Sequence, residues 1–357
     1  MSVPRKLPAR VAIATNNGDI GGGEVMLLSI ARALVELGVE TTVVGPSGPS
    51  GLVDEARTRG FDVVELPADG RRAWMRALRR WDARDRDGIL WCNGLVPSFA
   101  TAGHANRIVH LHQRPQSRAQ QAIEPIARWG ALTTLVPSYD MASSISSARV
   151  LENWVPPIEE GRRLPSVSED RFTVGFLGRT SSDKGIGVLA QAMRKLESAH
   201  SGRFELLIGG APRFVDERDR ERVEVALNGI AGITRRPGWV APRDFFSSVD
   251  LFVVPSVWRE PFGLVAAEAM SARVPVVVSD AGALAEVVGN DAASVVPTGD
   301  AGALADVILK RSREAGDSVA NTSRVSALHE RWRSHYSPDA GRERVARLLG
   351  DLGVELD

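Results

Sequence analysis

The residues of this 357-residue chain whose types and spacing best fit chemistry are two glutamates around a turn. Glu260 and Glu268 lie in SVWREPFGLVAAEAM (256–270), where Pro-Phe-Gly follows the first glutamate and a helix-forming stretch carries the second. Carboxylates accept hydrogen bonds from vicinal hydroxyls, and the free amides of a helix that begins near Gly263 favour a phosphate. We therefore expect one glutamate to hold a sugar and the other a ribose, beside a phosphate group.

A pair of cations in FLGRTSSDKG (176–185) fits the same ligand. Arg179 and Lys184 would repel each other in one loop, whereas a pyrophosphate would neutralise both and accept their hydrogen bonds. For this stretch taken alone, two solvated loop charges are the alternative. Combined with the glutamates, the cations predict a nucleotide-sugar site in which cations and helix amides bind the diphosphate.

A glycine-rich turn, GDIGGGE (18–24), follows the first apolar run and precedes a helical pattern. The chain does not match the dinucleotide-binding signature G-x-G-x-x-G here, because Met26 stands where the third glycine of a signature that begins at Gly21 would be. No Walker lysine motif is present either. The amides of Gly22 and Gly23 at the helix start can approach an anion or a sugar closely, and a simple tight turn is the alternative.

Strands and helices that alternate along the chain would position these loops. Short β-branched runs predict buried strands, and the apolar spacing between them predicts helices. The predicted strands are 10–15, 39–46, 61–67, 88–93, 107–113 and 131–138 in the first half, and 172–178, 203–210, 251–256 and 274–280 in the second. A proline-rich charged stretch, 155–170, separates the halves and predicts a linker. Parallel sheets bind ligands at the carboxyl ends of their strands, so the loops after strands are the candidates for function.

Composition and charge narrow the class of protein. The chain is 43% hydrophobic and 25% charged, as in ordinary globular proteins, and its net charge of zero argues against a nucleic-acid partner. The single cysteine, Cys92, excludes a disulfide within the chain and a cysteine-cluster metal site. No apolar run reaches transmembrane length, and the N-terminal apolar stretch is too short for a signal peptide, so we expect a cytoplasmic protein.

Over nearly its whole length the chain resembles the retaining glycosyltransferases of the GT-B fold, in particular the large family 4 with its bacterial mannosyl- and glucosyltransferases. The matching motifs are the glycine loop and helix GGGEVMLLSIARALVELG, the Arg/Lys diphosphate motif GRTSSDKG, the glutamate pair EPFGLVAAE and the helix start AGALAEVV. The resemblance implies an α/β fold with two Rossmann-like parallel domains facing across a cleft. Residues 1–155 would form the acceptor-side domain, residues 156–332 the nucleotide-sugar-binding domain, and a helix at about 333–357 would pack back on the first.

The resemblance also implies roles for individual residues. In the family the first glutamate contacts the donor sugar and the second the ribose, which carries over to Glu260 and Glu268. Main-chain groups complete the donor site, and the corresponding residues here are Phe262, Gly263, Leu264 and, at the base, Val240 in GWVAP. Glu286 is expected to serve the start of its own helix rather than the substrate.

The family has a histidine at the end of an N-domain strand, and IVHLHQRP offers two candidates. Alternation puts His110 and His112 on one face of the strand, and the later one lies nearer the loop. We therefore prefer His112, with a satisfied interior histidine as the alternative for either. By resemblance, this histidine positions the donor sugar or acceptor by hydrogen bonding and joins Glu260, Arg179 and Lys184 in the catalytic set.

Two departures from the family pattern concern the loops around this site. Arg273 stands where the family usually has glycine after the glutamate-bearing helix, and a non-glycine residue in a left-handed cap costs about 1 kcal/mol. Asn153 in ENWVPP is retained, but the familiar Asn-Gly turn is not, which leaves the identity of the sugar open.

The expected activity is transfer of a hexose or related sugar, with retention of α configuration, from a UDP-, GDP- or other nucleotide sugar. The acceptor would be a sugar, a lipid-linked molecule or another small molecule. No aspartate pair indicates a divalent metal, and no cofactor is expected beyond the nucleotide-sugar co-substrate. The alternatives are a nucleotide-sugar-binding homologue without activity, a related GT-B phosphorylase, or an epimerase, for which additional acid/base carboxylates are not located.

One further segment, RRAWMRALRRW (71–81), has the pattern of a basic amphipathic helix. Trp74, Leu78 and Trp81 fall on one side with Met75 beside them. The flanking arginines are Arg71, Arg72, Arg76, Arg79 and Arg80. Such a helix can lie in a membrane interface, which would place the protein weakly at the inner face of the membrane. In the alternative, the apolar stripe packs on the sheet and the arginines stay in water.

Overall fold

The chain divides into two compact units, each built on one parallel sheet. This computed structural model describes residues 9–67, 69–166, 170–212, 215–315 and 318–354. The N-terminal unit comprises residues 1–154 and 338–357, and the C-terminal unit comprises residues 155–337. The prediction of two parallel α/β domains is thus confirmed.

The sheet of the N-terminal unit has seven strands in the order β3-β2-β1-β4-β5-β6-β7. Strands β1 to β7 are Arg10–Ala14, Glu40–Pro46, Asp62–Leu66, Ile89–Asn93, Arg107–His110, Thr133–Val136 and Arg149–Val150. Helices α1 to α6 are Gly22–Glu36, Gly51–Thr58, Arg71–Arg84, Leu95–Ala100, Arg118–Arg128 and Tyr139–Ala142. The strand order reverses between β1 and β4, so the loops that follow these two strands meet at a topological switch point.

The sheet of the C-terminal unit has six strands in the order β10-β9-β8-β11-β12-β13. Strands β8 to β13 are Phe172–Leu177, Phe204–Gly209, Thr234–Gly238, Leu251–Val254, Val276–Ser279 and Val295–Val296. Helices α7 to α13 are Ile186–Ala199, Glu217–Asn228, Pro242–Phe246, Leu264–Ser271, Leu284–Val287, Ala301–Glu314 and Ser318–Arg331, and a π-helical turn, Trp332–Tyr336, follows them. Here the switch point lies between β8 and β11.

The last helix, α14 (Pro338–Asp351), belongs to the N-terminal unit. Its side chains Val345 and Leu349 are fully buried in the core cluster that also holds Leu27 and Leu34 of α1. Apolar spacing of three and four residues puts these side chains on one face of each helix. The core of the N-terminal unit is therefore completed by the end of the chain.

The unit boundaries differ by a few residues from those predicted at 155/156 and about 333. The backbone N–H of Val155 donates to the carbonyl of Tyr336 at 3.0 Å. Both residues and Trp332 are buried in one core cluster of the C-terminal unit. Because these side chains hold the segment before Pro338 in that core, the chain returns to the N-terminal unit at Pro338 instead of residue 333.

The stretch predicted as a linker, 155–170, is attached to the C-terminal unit rather than free. Residues 151–166 have no regular secondary structure, and residues 167–169 lie outside the described part of the chain. The backbone N–H groups of Ile158, Gly161 and Leu164 donate to Ser271 Oγ, Ser247 Oγ and Ser248 Oγ at 2.9, 2.7 and 2.7 Å, respectively. The proline and charge content marked an irregular segment correctly, but not a loose one.

Strand β10 was not predicted. Its residues, TRRPG, lack apolar alternation and include a proline. It is the edge strand of its sheet, where a proline need not donate to a neighbouring strand. Strand β5 is also shorter than the predicted 107–113, since it ends at His110 and leaves His112 in the loop that follows.

The structure shows the conformation of the two residues at which the sequence departs from the family pattern. Arg273 takes the left-handed conformation, with φ of 59°, just after α10. Its amide donates to the carbonyl of Met270 at 3.3 Å, so the helix ends in the glycine-type geometry with a side chain present. Asn153 is buried, and its Oδ1 has no hydrogen-bond partner within the described ranges.

Helix α3 contains the basic amphipathic segment. Trp74 and Leu78 are buried in a cluster with the sheet residues Leu66 and Leu90, and Trp81 packs partly buried against it. The apolar stripe therefore faces the core of the N-terminal unit, and the arginines lie on the outside. Among the helices of the described residues, none is both long and apolar enough to span a membrane.

Candidate functional site

In the C-terminal unit the predicted site residues come together at the switch point. The loop after β8 carries Arg179 and Lys184, and the loop after β11 carries Glu260. Strands β8 and β11 are hydrogen-bonded neighbours, so their carboxyl ends open side by side. The strand order alone thus brings together the two motifs, which are far apart in sequence.

Lys184 and Glu260 form an ion pair across these two loops. Lys184 Nζ donates to Glu260 Oε1 at 2.6 Å, and Ser256 Oγ donates to the same oxygen at 2.6 Å. Glu260 is buried, with 7% of its surface exposed. Its second oxygen, Oε2, has no hydrogen-bond partner among the described residues and remains able to accept a hydroxyl donor.

Arg179 pairs within its own loop. Its Nη2 donates to Asp183 Oδ2 at 2.6 Å, and both side chains are partly exposed. Asp183 also accepts a hydrogen bond from Ser181 Oγ. Each of the two cations therefore has its own carboxylate, which relieves the mutual repulsion from which the sequence argument began. A diphosphate would have to compete with Asp183 for the guanidinium group.

A second carboxylate fixes the main chain of this loop. The backbone N–H of Ser182 donates to Asp219 Oδ2 at 3.0 Å, and hydrogen bonds from Ser182 hold the pKa of Asp219 below its ordinary value. Asp219 lies in the first turn of α8. The loop that carries Lys184 is thus tied to a helix as well as to the sheet.

The loop around Glu260 depends on two glycines. Gly263 caps α10 with φ of 108°, and a Cβ there would lie 2.5 Å from Leu284 Cδ2. Gly282 has φ of 69°, and a Cβ there would lie 2.4 Å from the Glu260 carbonyl oxygen. Gly263 requires glycine for its conformation, and Gly282 requires it for both conformation and space, because a Cβ there would meet backbone atoms. The segments 260–264 and 281–284 therefore pack backbone to backbone, which fixes the direction of the Glu260 side chain.

Glu268 lies on α10 and is partly buried. Burial raises the pKa of Glu268 to about 7. Its carboxylate has no hydrogen bond or ion pair within the described part of the chain, in contrast to Glu260. An unpaired carboxyl group of this kind gains hydrogen bonds when hydroxyl donors bind it.

The remaining predicted donor-binding residues offer main chain more than side chain. The Phe262 side chain is buried with its ring edge-on to Tyr336, at 5.4 Å between ring centroids. Leu264 is the first residue of α10, whose first amides have no acceptor within the helix. Val240 lies two residues beyond β10 and is partly buried. Glu286 lies in the first turn of the short helix α11, which comes later in the sequence than Lys184 and Glu260.

In the N-terminal unit the predicted residues also meet at a switch point. Gly22 and Gly23 are the first residues of α1, directly after the loop that follows β1. Asn93 is the last residue of β4. Asn93 Nδ2 donates to the Gly23 carbonyl at 3.1 Å, and Asn93 Oδ1 lies 2.6 Å from His112 Nε2. A Cβ on Gly23 would lie 3.6 Å from His112 Cδ2, so the glycine loop is in contact with the imidazole.

These contacts determine which ring nitrogen of His112 carries the proton. Since the amide nitrogen of Asn93 is used by Gly23, its oxygen faces the imidazole, and His112 Nε2 must carry the proton that it accepts. His112 Nδ1 is then an acceptor, and within the described residues it has no partner. Burial lowers the pKa of His112 to about 4, so the imidazole is neutral near pH 7.

His110, the other candidate, has no exposed surface. It accepts a hydrogen bond from Trp91 Nε1 at 3.3 Å, and its ring packs against that of His112 at a tilt of 44°, with 4.1 Å between ring centroids. Burial, and secondarily the neighbouring His112, keep the pKa of His110 well below its ordinary value. Of the two histidines, only His112 has surface that a ligand could reach.

Four polar residues of these sites were missed by the sequence argument. They are Glu24, Asn93, Asp183 and Ser256. Glu24 is buried in the first turn of α1, where its carboxylate accepts from Asn17 Nδ2 at 2.9 Å and from the Gly21 backbone N–H at 3.2 Å. The signals available were an acidic residue in the first turn of a helix, and small polar residues directly after buried strands.

No group of three or more His, Cys, Asp and Glu side chains within the described ranges is arranged to hold a metal ion. Cys92 is buried, and burial raises the pKa of its thiol. Its sulfur lies 3.5 Å from Thr101 Oγ1, within the core behind β4.

The chain is similar to known glycosyltransferases. Residues 171–313 match the family described as glycosyl transferases group 1, and this segment contains both cations and both glutamates of the C-terminal site. An uncharacterized glycosyltransferase of Methanocaldococcus jannaschii is 34% identical over 202 residues, which cover 49% of this chain and 49% of that protein. The chain thus spans about half the length of this relative.

A match over nearly the whole chain is found at lower identity. The D-inositol 3-phosphate glycosyltransferase of Paenarthrobacter aurescens is 28% identical over 391 residues, covering 93% of this chain and 95% of that protein. Among solved structures, Anabaena HepE in complex with UDP and glucose superimposes with a TM-score of 0.79 at 18% identity, covering 95% of this chain and 99% of that chain. The fold is GT-B, and the resemblance to GT-B glycosyltransferases predicted from the sequence is confirmed.

Proposed function

We propose that this protein transfers a hexose from a nucleoside diphosphate sugar to an acceptor, with retention of α configuration. The observation that carries the proposal is the meeting of Lys184 and Glu260 at the switch point of the C-terminal unit, 2.6 Å apart, with one glutamate oxygen left without a partner. A cation and a hydrogen-bond acceptor at one point match the phosphate and the hydroxyls that are joined in a sugar nucleotide.

The leaving diphosphate would be stabilised by Arg179, Lys184 and the first amides of α10. Negative charge develops on that group as the bond to the sugar breaks, and donors already in place lower the barrier without reorganisation. An ammonium group has three N–H donors, so Lys184 can contact a phosphate while it keeps Glu260. The guanidinium of Arg179 would exchange Asp183 for a phosphate oxygen.

The glutamates would bind the neutral parts of the donor. Glu260 Oε2 would accept from a sugar hydroxyl, while Oε1 stays with Lys184 and Ser256. Glu268 would accept from the ribose hydroxyls, and more strongly when its carboxyl group is ionised. Main-chain groups of Gly263, Leu264 and Val240 would complete contacts to the phosphate and the base.

His112 would act by hydrogen bonding. Because its pKa is about 4, it is a weak base. Its acceptor Nδ1, which has no partner among the described residues, is buried, so it would receive a hydrogen bond from a hydroxyl of donor or acceptor only after the groups that cover it move apart. Asn93 would hold the ring in the tautomer that makes this nitrogen an acceptor. The glycines at the start of α1 allow a ligand to approach the same ring.

We take UDP as the first nucleotide to test, since HepE is described in complex with UDP and glucose. The acceptor class is broader, because one relative is named for an inositol phosphate acceptor. We propose that transfer needs no divalent metal, because Arg179, Lys184 and the first amides of α10 would supply the positive charge that stabilises the leaving diphosphate. Turnover should then persist in excess chelator, and its complete loss there would disprove this part.

The deciding experiment is turnover of UDP-glucose and GDP-mannose with a library of sugar, inositol and phosphorylated acceptors. Release of nucleoside diphosphate with formation of an α-linked product, read by proton NMR, is the expected result. Donor binding without release in the presence of every acceptor would favour a non-catalytic binding protein. Reaction with free phosphate in place of an acceptor would indicate a phosphorylase. Inversion of the configuration at a sugar carbon, without transfer of the sugar, would indicate an epimerase.

A further inference from the structure

A second group of cations lies apart from the proposed donor site, along helix α3 of the N-terminal unit. It borders a surface cavity of about 480 Å³ whose polar lining consists of Arg76, Arg79, Arg80 and Asp69. The cavity lies beside the edge strand β3 and the helix that follows it, whereas the switch point with His112 lies between β1 and β4. It is therefore a separate concavity from the site described above.

The arginines of this cavity have no acidic partner. Arg79 Nη1 donates to the carbonyls of Ala100 and Ala102 at 3.1 and 3.2 Å, and Arg76 Nε donates weakly to the Arg72 carbonyl at 3.4 Å. Among the described residues, neither these two nor Arg80 forms an ion pair. Most of each guanidinium's donors are thus available to a ligand.

Other arginines of the same unit do have acidic partners. Arg57 pairs with Glu65, Arg59 pairs with Glu55 at 2.8 Å, and Arg86 pairs with Asp82 at 2.5 Å. The whole chain has equal numbers of basic and acidic residues, 44 of each. A cluster of unpaired arginines around a concave surface is therefore a local excess of charge, which its surroundings do not neutralise.

The fold holds these arginines in place on one side of the helix. Positions 73, 76, 77 and 80 share a helical face because they are three and four residues apart. Trp74 and Leu78, on the opposite face, are buried at 1% and 0% exposure. Since the tryptophan is in the core, α3 cannot insert it into a lipid layer without unfolding, and its arginine face is what a ligand would meet.

We propose that this cavity binds the phosphate monoester group of a small hydroxylated molecule. Three arginines and one aspartate leave an excess of two positive charges in the lining. A phosphate monoester carries about −1.5 to −2 charges near pH 7, which matches that excess. Planar guanidinium groups bind phosphate oxygens in pairs, and Asp69 can accept a hydrogen bond from a hydroxyl of the same ligand.

The test uses glucose 6-phosphate as the probe in isothermal titration calorimetry on the full chain. The variant Arg76→Glu/Arg80→Glu should weaken its binding at least tenfold, because two charge-assisted contacts are lost. The matched control is Arg71→Glu/Arg72→Glu, which makes the same change of net charge on the same helix outside the cavity, and which should bind as the wild type does. Only the difference in glucose 6-phosphate binding between the proteins reports on the cavity, because binding at any other site is common to all three.

Two further arms identify the source of the phosphate and the ways in which the proposal fails. Glucose without phosphate should not bind. Vesicles with phosphatidic acid, whose headgroup is a phosphate monoester, compared with neutral phosphatidylcholine vesicles, show whether a lipid headgroup is the source: binding lost only in the cavity variant would support the site with a lipid ligand. Equal glucose 6-phosphate binding in all three proteins would overturn the proposal. So would vesicle binding that both variants weaken equally, without a change in glucose 6-phosphate binding. Neither outcome bears on sugar transfer.

Discussion

The two units solve the same topological problem with different chemistry. In each, the segment after the first strand contacts a residue at or just beyond the end of the strand across the switch point. In the N-terminal unit this contact is neutral, from the Asn93 amide to the Gly23 carbonyl, with His112 beside it. In the C-terminal unit it is ionic, from Lys184 to Glu260. Topology thus decides where a ligand can bind, and the side chains at that point decide which chemical groups it must have.

The difference has an energetic consequence for ligand binding. Binding a hydroxyl at the neutral site breaks none of the existing hydrogen bonds, because the hydroxyl pairs with an acceptor that has no partner among the described residues. A charged site has to redistribute hydrogen bonds that already exist, so an anion competes with Asp183 and Glu260 for the cations. Variants that alter charge should therefore have larger effects in the C-terminal unit.

The largest effect is expected from Lys184→Ala. The variant removes a donor to the leaving diphosphate and leaves the Glu260 carboxylate with Ser256 alone, so turnover should fall at least about 100-fold. The free energy of unfolding should fall by about 1.5–3 kcal/mol, the contribution of a hydrogen bond to a charged group. Activity assays and urea unfolding measure the two changes.

Two controls make the Lys184 result specific. Lys195→Ala removes an exposed lysine of the same unit and should change neither quantity. Adding Glu260→Gln to Lys184→Ala should restore part of the lost stability, since no buried charge is then left unpaired. If the double variant is as unstable as the sum of the single ones, the pair does not act as a unit.

A tenfold effect is expected at the neutral site. Asn93→Ala frees the imidazole of His112 to rotate, and turnover should drop by up to about tenfold, the value of one hydrogen bond. Asn93→Asp instead gives the N-terminal site a charged contact like that of the C-terminal unit. Its carboxylate should raise the pKa of His112 from about 4 by one unit or more, as followed by NMR titration. An unchanged titration would show that position 93 does not face the ring.

Glu268 should make donor binding pH-dependent by several fold. Its pKa is about 7, and ribose hydroxyls donate more strongly to the ionised form, so affinity for nucleoside diphosphate should increase as the pH rises through 7. Titration of the ligand's own phosphate is common to wild type and Glu268→Gln, so the difference between their pH profiles isolates the carboxylate. Parallel profiles would contradict the ribose assignment.

The same group should also affect stability, with a definite sign. The folded chain binds the Glu268 proton more tightly than the unfolded chain, whose pKa is near 4.5. Stability is therefore lost as the pH rises from about 4.5 to about 7, and Glu268→Gln should remove that loss, by about 1–2 kcal/mol after allowance for partial exposure. Thermal unfolding at pH 5 and pH 8 should show a gain for the variant at pH 8 only.

The smallest effect is expected from Asp183→Asn. The Arg179–Asp183 pair is partly exposed, so it is worth at most about 1 kcal/mol, and its removal frees Arg179 for the diphosphate. Donor affinity should increase two- to fivefold, measured by calorimetry. Weaker binding in this variant would mean that Asp183 orients Arg179 toward the ligand and does not compete with it.

The sequence was informative where chemistry is carried by contiguous motifs and much less so where it arises from packing. EPFGLVAAE and GRTSSDKG could be recognised, and the alternation of strands and helices predicted two parallel sheets. That Lys184 would bond to Glu260 could not be predicted, because the distance between loops depends on which strands are neighbours. Asn93 was missed for the same reason, since its place at the end of a buried strand does not tell which loop its amide faces.

Local composition also misled in two places. TRRPG carries no apolar alternation, yet it forms the edge strand β10, because an edge needs only one partner. The tryptophans of α3 have the spacing of both a membrane helix and a sheet-covering helix, and only the location of Trp74 in the core separates the two. In both cases the tertiary environment outweighed the local pattern.

The return of α14 to the N-terminal unit has a consequence for how the chain folds during synthesis. The first 154 residues leave the ribosome before the C-terminal unit, but they lack Val345 and Leu349, which fill the core beside α1. Residues 155–337 are contiguous and need no later segment to complete their sheet. The second unit made should therefore be the first to become stable, and the N-terminal half would wait with an apolar groove along α1 until the last helix emerges.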